Sequence, residues 1–203
     1  VTICTIEAVF TDQWRGPVID LNPASQLMIE VLAGVNGDLL SGPSPCAEYT
    51  VGDLIDHVDQ VCRGSAALAR QDVEALGGTN AAPDGAHLGP DWRDRVAEHL
   101  RAVGKAWENP SAWEGSGNVP GSDLSNEVWG TITLTELVVH GWDSAMATGQ
   151  SFALPEPTLH ACLDHVSKFV PNAPIPGPWG PPVDVGPDAT LLDQVVAITG
   201  RTP

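Results

Sequence analysis

Positive charge is scarce in this sequence: nine Lys and Arg stand against 26 Asp and Glu, a formal net charge of -17. Without a basic patch to neutralise phosphates, nucleic acid and anionic membrane surfaces are not expected as partners. Long apolar runs are also missing, so no membrane-spanning helix is expected. The opening stretch VTICTIEAVFTDQWRGP has no basic segment ahead of an apolar one, and a cytoplasmic location is the expectation. Cysteines are few and scattered. Cys4, Cys46, Cys62 and Cys162 form no C-x-x-C pair, which argues against a zinc knuckle and a disulfide framework. Each is expected as a small buried hydrophobe or a reduced surface thiol. Strand-like alternation never persists beyond a few residues, and only PPVDVG (181–186) is expected to pair locally as a short strand.

What remains is a succession of helical patterns. Asn22-Pro23 reads as an N-cap and first helical residue, with Leu27, Met28, Val31, Leu32 and Val35 on one face and an end near Gly37. Thr50 followed by Asp53 is a capping-box-like start for a second helix carrying Leu54, Ile55, Val58, Val61 and Cys62. After Pro90, Trp92, Val96, His99, Leu100, Val103 and Trp107 fall on helical spacing. A fourth pattern holds Val128, Trp129, Ile132, Val139, Trp142 and Met146 and stops at Gly149. A fifth helix starts at Pro157, with Leu159, Leu163, Val166 and Val170 inward. A proline-rich connection from Pro171 to Pro187 leads to a short last helix expected to be capped by Asp188. The expectation is an all-α protein: a four-helix bundle over residues 19–150, an N-terminal extension (1–18), and a C-terminal helical segment (151–203) packed on the bundle.

The fourth pattern contains an anomaly, TELVVHGWD (135–143). Glu136, His140 and Asp143 share one helical face inside a stretch that is otherwise apolar. A carboxylate turned into a bundle interior needs a compensating charge. Glu-x-x-x-His lets both side chains reach one cation, and His57, on the apolar face of the second helix, supplies a third ligand from a facing helix. The bland alternative is a salt-bridged or hydrogen-bonded Glu–His pair. His57, Glu136 and His140 would leave a coordination position open, as catalytic zinc sites do. Asp143 either steadies His140 or faces solvent, and Trp142 is expected to pack. Cys46 could reach the site as a fourth ligand or reactive thiol. His160, Asp164 and Lys168 are offset from their helix's apolar face and read as a solvated stripe, while His87, His99 and His165 read as surface or satisfied core histidines.

Together, PCAEYTVGDLIDHV (45–58) and LTELVVHGWDSAMATGQ (134–150) resemble the actinobacterial metal-binding family related to mycothiol-dependent maleylpyruvate isomerase, within the DinB-like four-helix bundle superfamily. The resemblance extends over roughly residues 20–203, through the ending GPPVDVGPDATLLDQVVAITGRTP. It implies a DinB-like bundle with a divalent metal, zinc or nickel, held at the positions of His57, Glu136 and His140. It also implies a low-molecular-weight thiol, mycothiol, as cofactor or co-substrate, and a small electrophilic substrate for isomerisation or S-transfer. A homodimer is a further expectation, with residues 1–18 as a pairing arm, a tail or a dimer contact. The region after Gly149 is shorter than the isomerase's own C-terminal domain, which argues against maleylpyruvate itself. Arg63, Arg70, Arg93, Arg95 and Arg101 are the basic residues nearest the motifs that could meet an acidic substrate.

Other classes fit parts of the pattern. Two His and one carboxylate also suit a non-haem Fe(II) oxygenase, although the bundle argues against it. The same fold could serve specialised-metabolite biosynthesis as a metal-free, cyclase-type enzyme with a Trp-lined pocket. It could also be a non-catalytic binding module that a metal merely stabilises.

Overall fold

The computed structural model describes residues 18–76, 82–116, 119, 122, 124–172 and 179–203. Among them are seven α-helices: α1 (Asn22–Ala33), α2 (Val51–Ala69), α3 (Val73–Leu76), α4 (Trp92–Trp107), α5 (Asn126–Thr148), α6 (Glu156–Phe169) and α7 (Leu191–Ile198). The molecule is an all-α, DinB-like bundle. Helix α2 packs on α4 and α5, and α1 packs on the same two, so the four form a ring in the order α1, α4, α2, α5. Helix α6 lies on α5, and α7 lies on α6.

The core follows from the apolar stripes. Met28, Val51, Leu54, Ile55, Val96, Leu100, Val103, Trp107, Leu134, Leu137 and Val138 are essentially inaccessible. Burying each such side chain is worth about 1.5–3 kcal/mol, which is what holds the helices side by side. Leu159, Cys162, Val166 and Val195 extend the same cluster from the bundle into α6 and α7. Cys62 and Cys162 are buried free thiols, and burial pushes both well up, Cys162 to about 12. Cys4 lies outside the described residues.

Several boundaries differ from the sequence expectation, each for a local reason. Asn22 is the first residue of α1 rather than its cap, and its side chain donates to Asp20 and Glu108. Helix α1 stops at Ala33, and Gly37 belongs to a separate 3-10 turn. Thr190, not Asp188, caps α7: it makes a reciprocal capping box with Asp193, leaving Asp188 in the preceding turn. PPVDVG forms no strand. Its Val183 N–H instead donates to the Ala197 carbonyl at the end of α7, so the segment runs as a single-bond strap. Met146 is exposed, beyond the stripe that α1 covers. Thr50 and Ser125 cap α2 and α5, and Gly149 closes α5 in the left-handed region at φ 69°.

Candidate metal centre

Helices α2 and α5 are neighbours in the ring, and this brings His57 and Glu136 face to face. Nε2 of His57 lies 3.1 Å from Oε2 of Glu136. One turn along α5, Nε2 of His140 lies 3.1 Å from that same oxygen. The three atoms therefore surround one point, all within 4.8 Å of one another. The side chains of His57 and Glu136 remain 25% and 15% exposed, so the point opens to solvent, while His140 is buried.

Behind His140 stands Asp143, which is fully buried. Its Oδ2 takes Nδ1–H of His140 at 2.9 Å, which fixes the ring and leaves Nε2 directed at Glu136. Asp143 in turn receives Nε and Nη2 of Arg201 at 3.2 and 2.9 Å, a bidentate pair closed off from water. Nη1 of Arg201 donates to the Thr199 carbonyl. Arg201 reaches this position through a backbone crossing. Gly200 has φ 87° and packs so closely on Gly180 that a Cβ there would come within 2.6 Å of the Gly180 Cα.

The electrostatics answer why the apolar stretch is interrupted. With Nδ1–H of His140 committed to Asp143, a neutral ring would aim its Nε2 lone pair at a carboxylate oxygen, so the point between them calls for a positive charge. In the metal-free chain a proton supplies it: burial alone would lower His140, but Glu136 and Asp143 outweigh burial and push its pKa up to about 9. Burial would likewise raise Glu136, yet the charge on His140 and hydrogen bonds from both histidines hold its carboxyl well below the ordinary range. Asp143 is depressed against burial by His140 and Arg201. A divalent cation meets the same demand with better geometry, since two imidazole nitrogens and one carboxylate oxygen are its standard donors. The donor set fits the group.

The 43–50 loop forms the rim. Tyr49 lays its ring 5.6 Å from that of His57, and Cys46 places its Sγ within 4.8 Å of ligand atoms of His140 and Asp143. Burial raises the Cys46 thiol, with Arg201 opposing. Trp142 packs with Val31 and Phe152, as expected of it. Gly141, between His140 and Trp142, leaves room for the Phe152 ring against α5.

The remaining candidates lie elsewhere. Asp164 and Lys168 pair on the exposed side of α6 as a solvated stripe. His87 and His99 are bonded to Asp56 and Asp59, and His165 stacks on Phe169. Arg93 donates to the Val35 carbonyl and lies over Trp92, away from the site. None of the five arginines picked out near the motifs supplies the charge beside Asp143. Arg201 does, from the ending GRTP, and its only signal in the sequence was membership of a family-like terminus.

Residues 21–145 match the family of the mycothiol maleylpyruvate isomerase N-terminal domain. The chain belongs to that family. Two uncharacterized proteins of Mycobacterium tuberculosis, from strains CDC 1551 / Oshkosh and H37Rv, are each 30% identical over 196 residues, covering 92% of this chain and 98% of their own. Their match is longer than the stretch matched to the family's domain. No solved structure matches the chain. Among the described residues no helix is long and apolar enough to cross a membrane.

Proposed function

We propose that His57, Glu136 and His140 hold a divalent metal ion, zinc or nickel, and that the protein uses a low-molecular-weight thiol of the mycothiol type for S-transfer or isomerisation of a small electrophile. The observation that carries this reading is the convergence of two Nε2 atoms on one carboxylate oxygen, with the far side of His140 already held by Asp143. A bound divalent ion would acidify a coordinated thiol, making a nucleophilic thiolate present at neutral pH.

The chain's own residues then have defined tasks. Asp143 keeps His140 in the tautomer that presents Nε2 outward, and Arg201 neutralises Asp143 so that a second carboxylate can stay buried beside the site. His57 and Glu136 form the exposed edge through which small molecules enter. Tyr49 flanks that edge on the His57 side. Family membership supports the thiol, and the donor set supports the metal. The bundle over residues 19–150 carries all three ligands, and the 151–203 segment supplies Arg201.

The test is thiol-dependent turnover. Protein loaded with zinc or nickel is incubated with mycothiol, or with glutathione as surrogate, and an activated aryl halide or a cis α,β-unsaturated ketone. Free thiol is titrated over time for S-transfer, and cis-to-trans conversion of the ketone, which regenerates the thiol, is followed for isomerisation. Metal-dependent turnover in one of the two assays that disappears in Glu136→Gln is the expected result. Equal rates in wild type, metal-stripped protein and Glu136→Gln in both assays would refute the proposal.

A further inference from the structure

Arg63 and Arg95, two of only nine basic residues, meet His87 and His99 around a second cavity of about 440 Å³. Asp56, Asp59, Gln60 and Arg63 run along one stripe of α2 at i, i+3, i+4 and i+7. Asp91, Arg95 and His99 run along the facing stripe of α4 at intervals of four, and His87 comes from the 85–87 turn. This stripe of α2 is not the one that presents His57, since Asp56 and His57 are successive residues about 100° apart on the helix.

The cavity has a layered construction. Its floor is two buried carboxylates, Asp56 and Asp59. Oδ2 of Asp56 takes Gln60 Nε2 at 2.9 Å, the Asp84 N–H at 3.0 Å and His87 Nδ1 at 3.1 Å. Oδ1 of Asp59 takes His99 Nδ1 at 2.7 Å, and its Oδ2 faces Nε of Arg63 at 3.4 Å and of Arg95 at 3.8 Å. The floor carboxylates engage the near nitrogens, Nδ1 of each imidazole and Nε of each guanidinium. That turns Nε2 of each imidazole, the Nη atoms of Arg63 and Nη2 of Arg95 away from the floor, whereas Nη1 of Arg95 donates to Oδ1 of Asp91 at 3.4 Å. The two aspartates thus orient four nitrogen-rich side chains while their own charges are offset. In a molecule of net charge -17, this is a local concentration of outward donors.

We propose that this cavity binds a small oxyanion, the phosphate or carboxylate group of a low-molecular-weight ligand, through Arg63, Arg95, His87 and His99. Guanidinium groups match oxyanions with paired N–H donors, and imidazoles steadied by carboxylates add a third and fourth contact from the adjoining wall. The hydrogen bond that His87 donates to Asp56 also raises His87, which favours its donating form. The site is separate from the metal centre and stands whether or not a metal binds there.

The experiment is a titration of the full chain with inorganic phosphate, and separately with acetate, at ionic strength held constant with sodium chloride. Backbone amides and arginine Nε–H groups are followed by ¹⁵N NMR. Saturable shifts at Arg63, Arg95 and the 84–88 turn are expected, and the tighter of the two probes identifies the source of the oxyanion. In Arg63→Gln/Arg95→Gln the affinity should fall by about tenfold or more, the size of a lost charged hydrogen bond, and in His57→Ala/His140→Ala it should not change. His87→Asn, at an exposed position, gives a variant whose folding is not at risk, and it should weaken binding several-fold. Three results would overturn the proposal: shifts that never saturate, binding undiminished in the arginine and His87 variants, or binding lost with His57 and His140.

Discussion

At the scale of single residues, the account rests on charges that are buried only because a partner meets them. Arg201 and Asp143 are the clearest case, both under a tenth exposed and joined by two hydrogen bonds. Asp143→Ala leaves a guanidinium buried without a counter-charge, and a loss of about 3–5 kcal/mol is expected in urea unfolding. Asp143→Ala/Arg201→Met, which removes both charges, should be less destabilised than Asp143→Ala alone. A double variant that is the sum of its parts would show that the pair is not coupled. His165 supplies a pH signature away from the metal centre. Its ring is part-buried against Phe169, and burial pulls its pKa down to about 4, below the value of about 6.5 for a free imidazole. The folded state therefore resists the proton that the unfolded state accepts. Stability is full above about pH 6.5 and falls as pH drops towards about 4. Because the ring keeps some solvent contact, this slope is worth about 1–2 kcal/mol. Unfolding midpoints measured across that range should decline in wild type and decline less in His165→Gln.

At the scale of elements, the candidate metal centre depends on two helices and one strap. Helix α5 was the most legible, because Glu136 and His140 interrupt an apolar pattern at a spacing that puts both on one face. His57 was legible for the same reason, lying on the apolar stripe of α2. Helix starts were less so. The Thr50 capping box could be read from its own residues, whereas Asn22 looked like a cap and donates to Glu108, 86 residues away. The strap was illegible, since its geometry depends on two glycines, 20 positions apart, whose backbones touch. Gly200→Ala tests it. A side chain there meets both a left-handed backbone and the Gly180 Cα, so a cost of about 1–3 kcal/mol is expected, with weaker metal binding as Arg201 is displaced. Wild-type melting temperature and metal affinity in that variant would contradict the role given to the crossing.

At the scale of the whole molecule, one acidic bundle carries two polar features on different faces of α2. The all-α architecture followed from periodicity alone, and the ring order α1, α4, α2, α5 makes neighbours of His57 and the Glu136–His140 pair. What periodicity could not give was the closure of the site by the other end of the chain. Asp143 and Arg201 are 58 residues apart, and nothing in either local pattern refers to the other. The polar cup between α2 and α4 was hidden for a similar reason, because its histidines read as ordinary when each was taken singly. On the proposed function, the interrupted stripe of α5 exists to hold a metal. Elemental analysis of the untagged protein, beside His57→Ala/His140→Ala checked by circular dichroism, tests it most directly. The account predicts about one equivalent of zinc or nickel per chain in the wild type, absent from a variant that keeps its helices. A wild-type protein that takes up no metal even on reconstitution would contradict it, leaving Glu136 as a structural partner of His140 and His57.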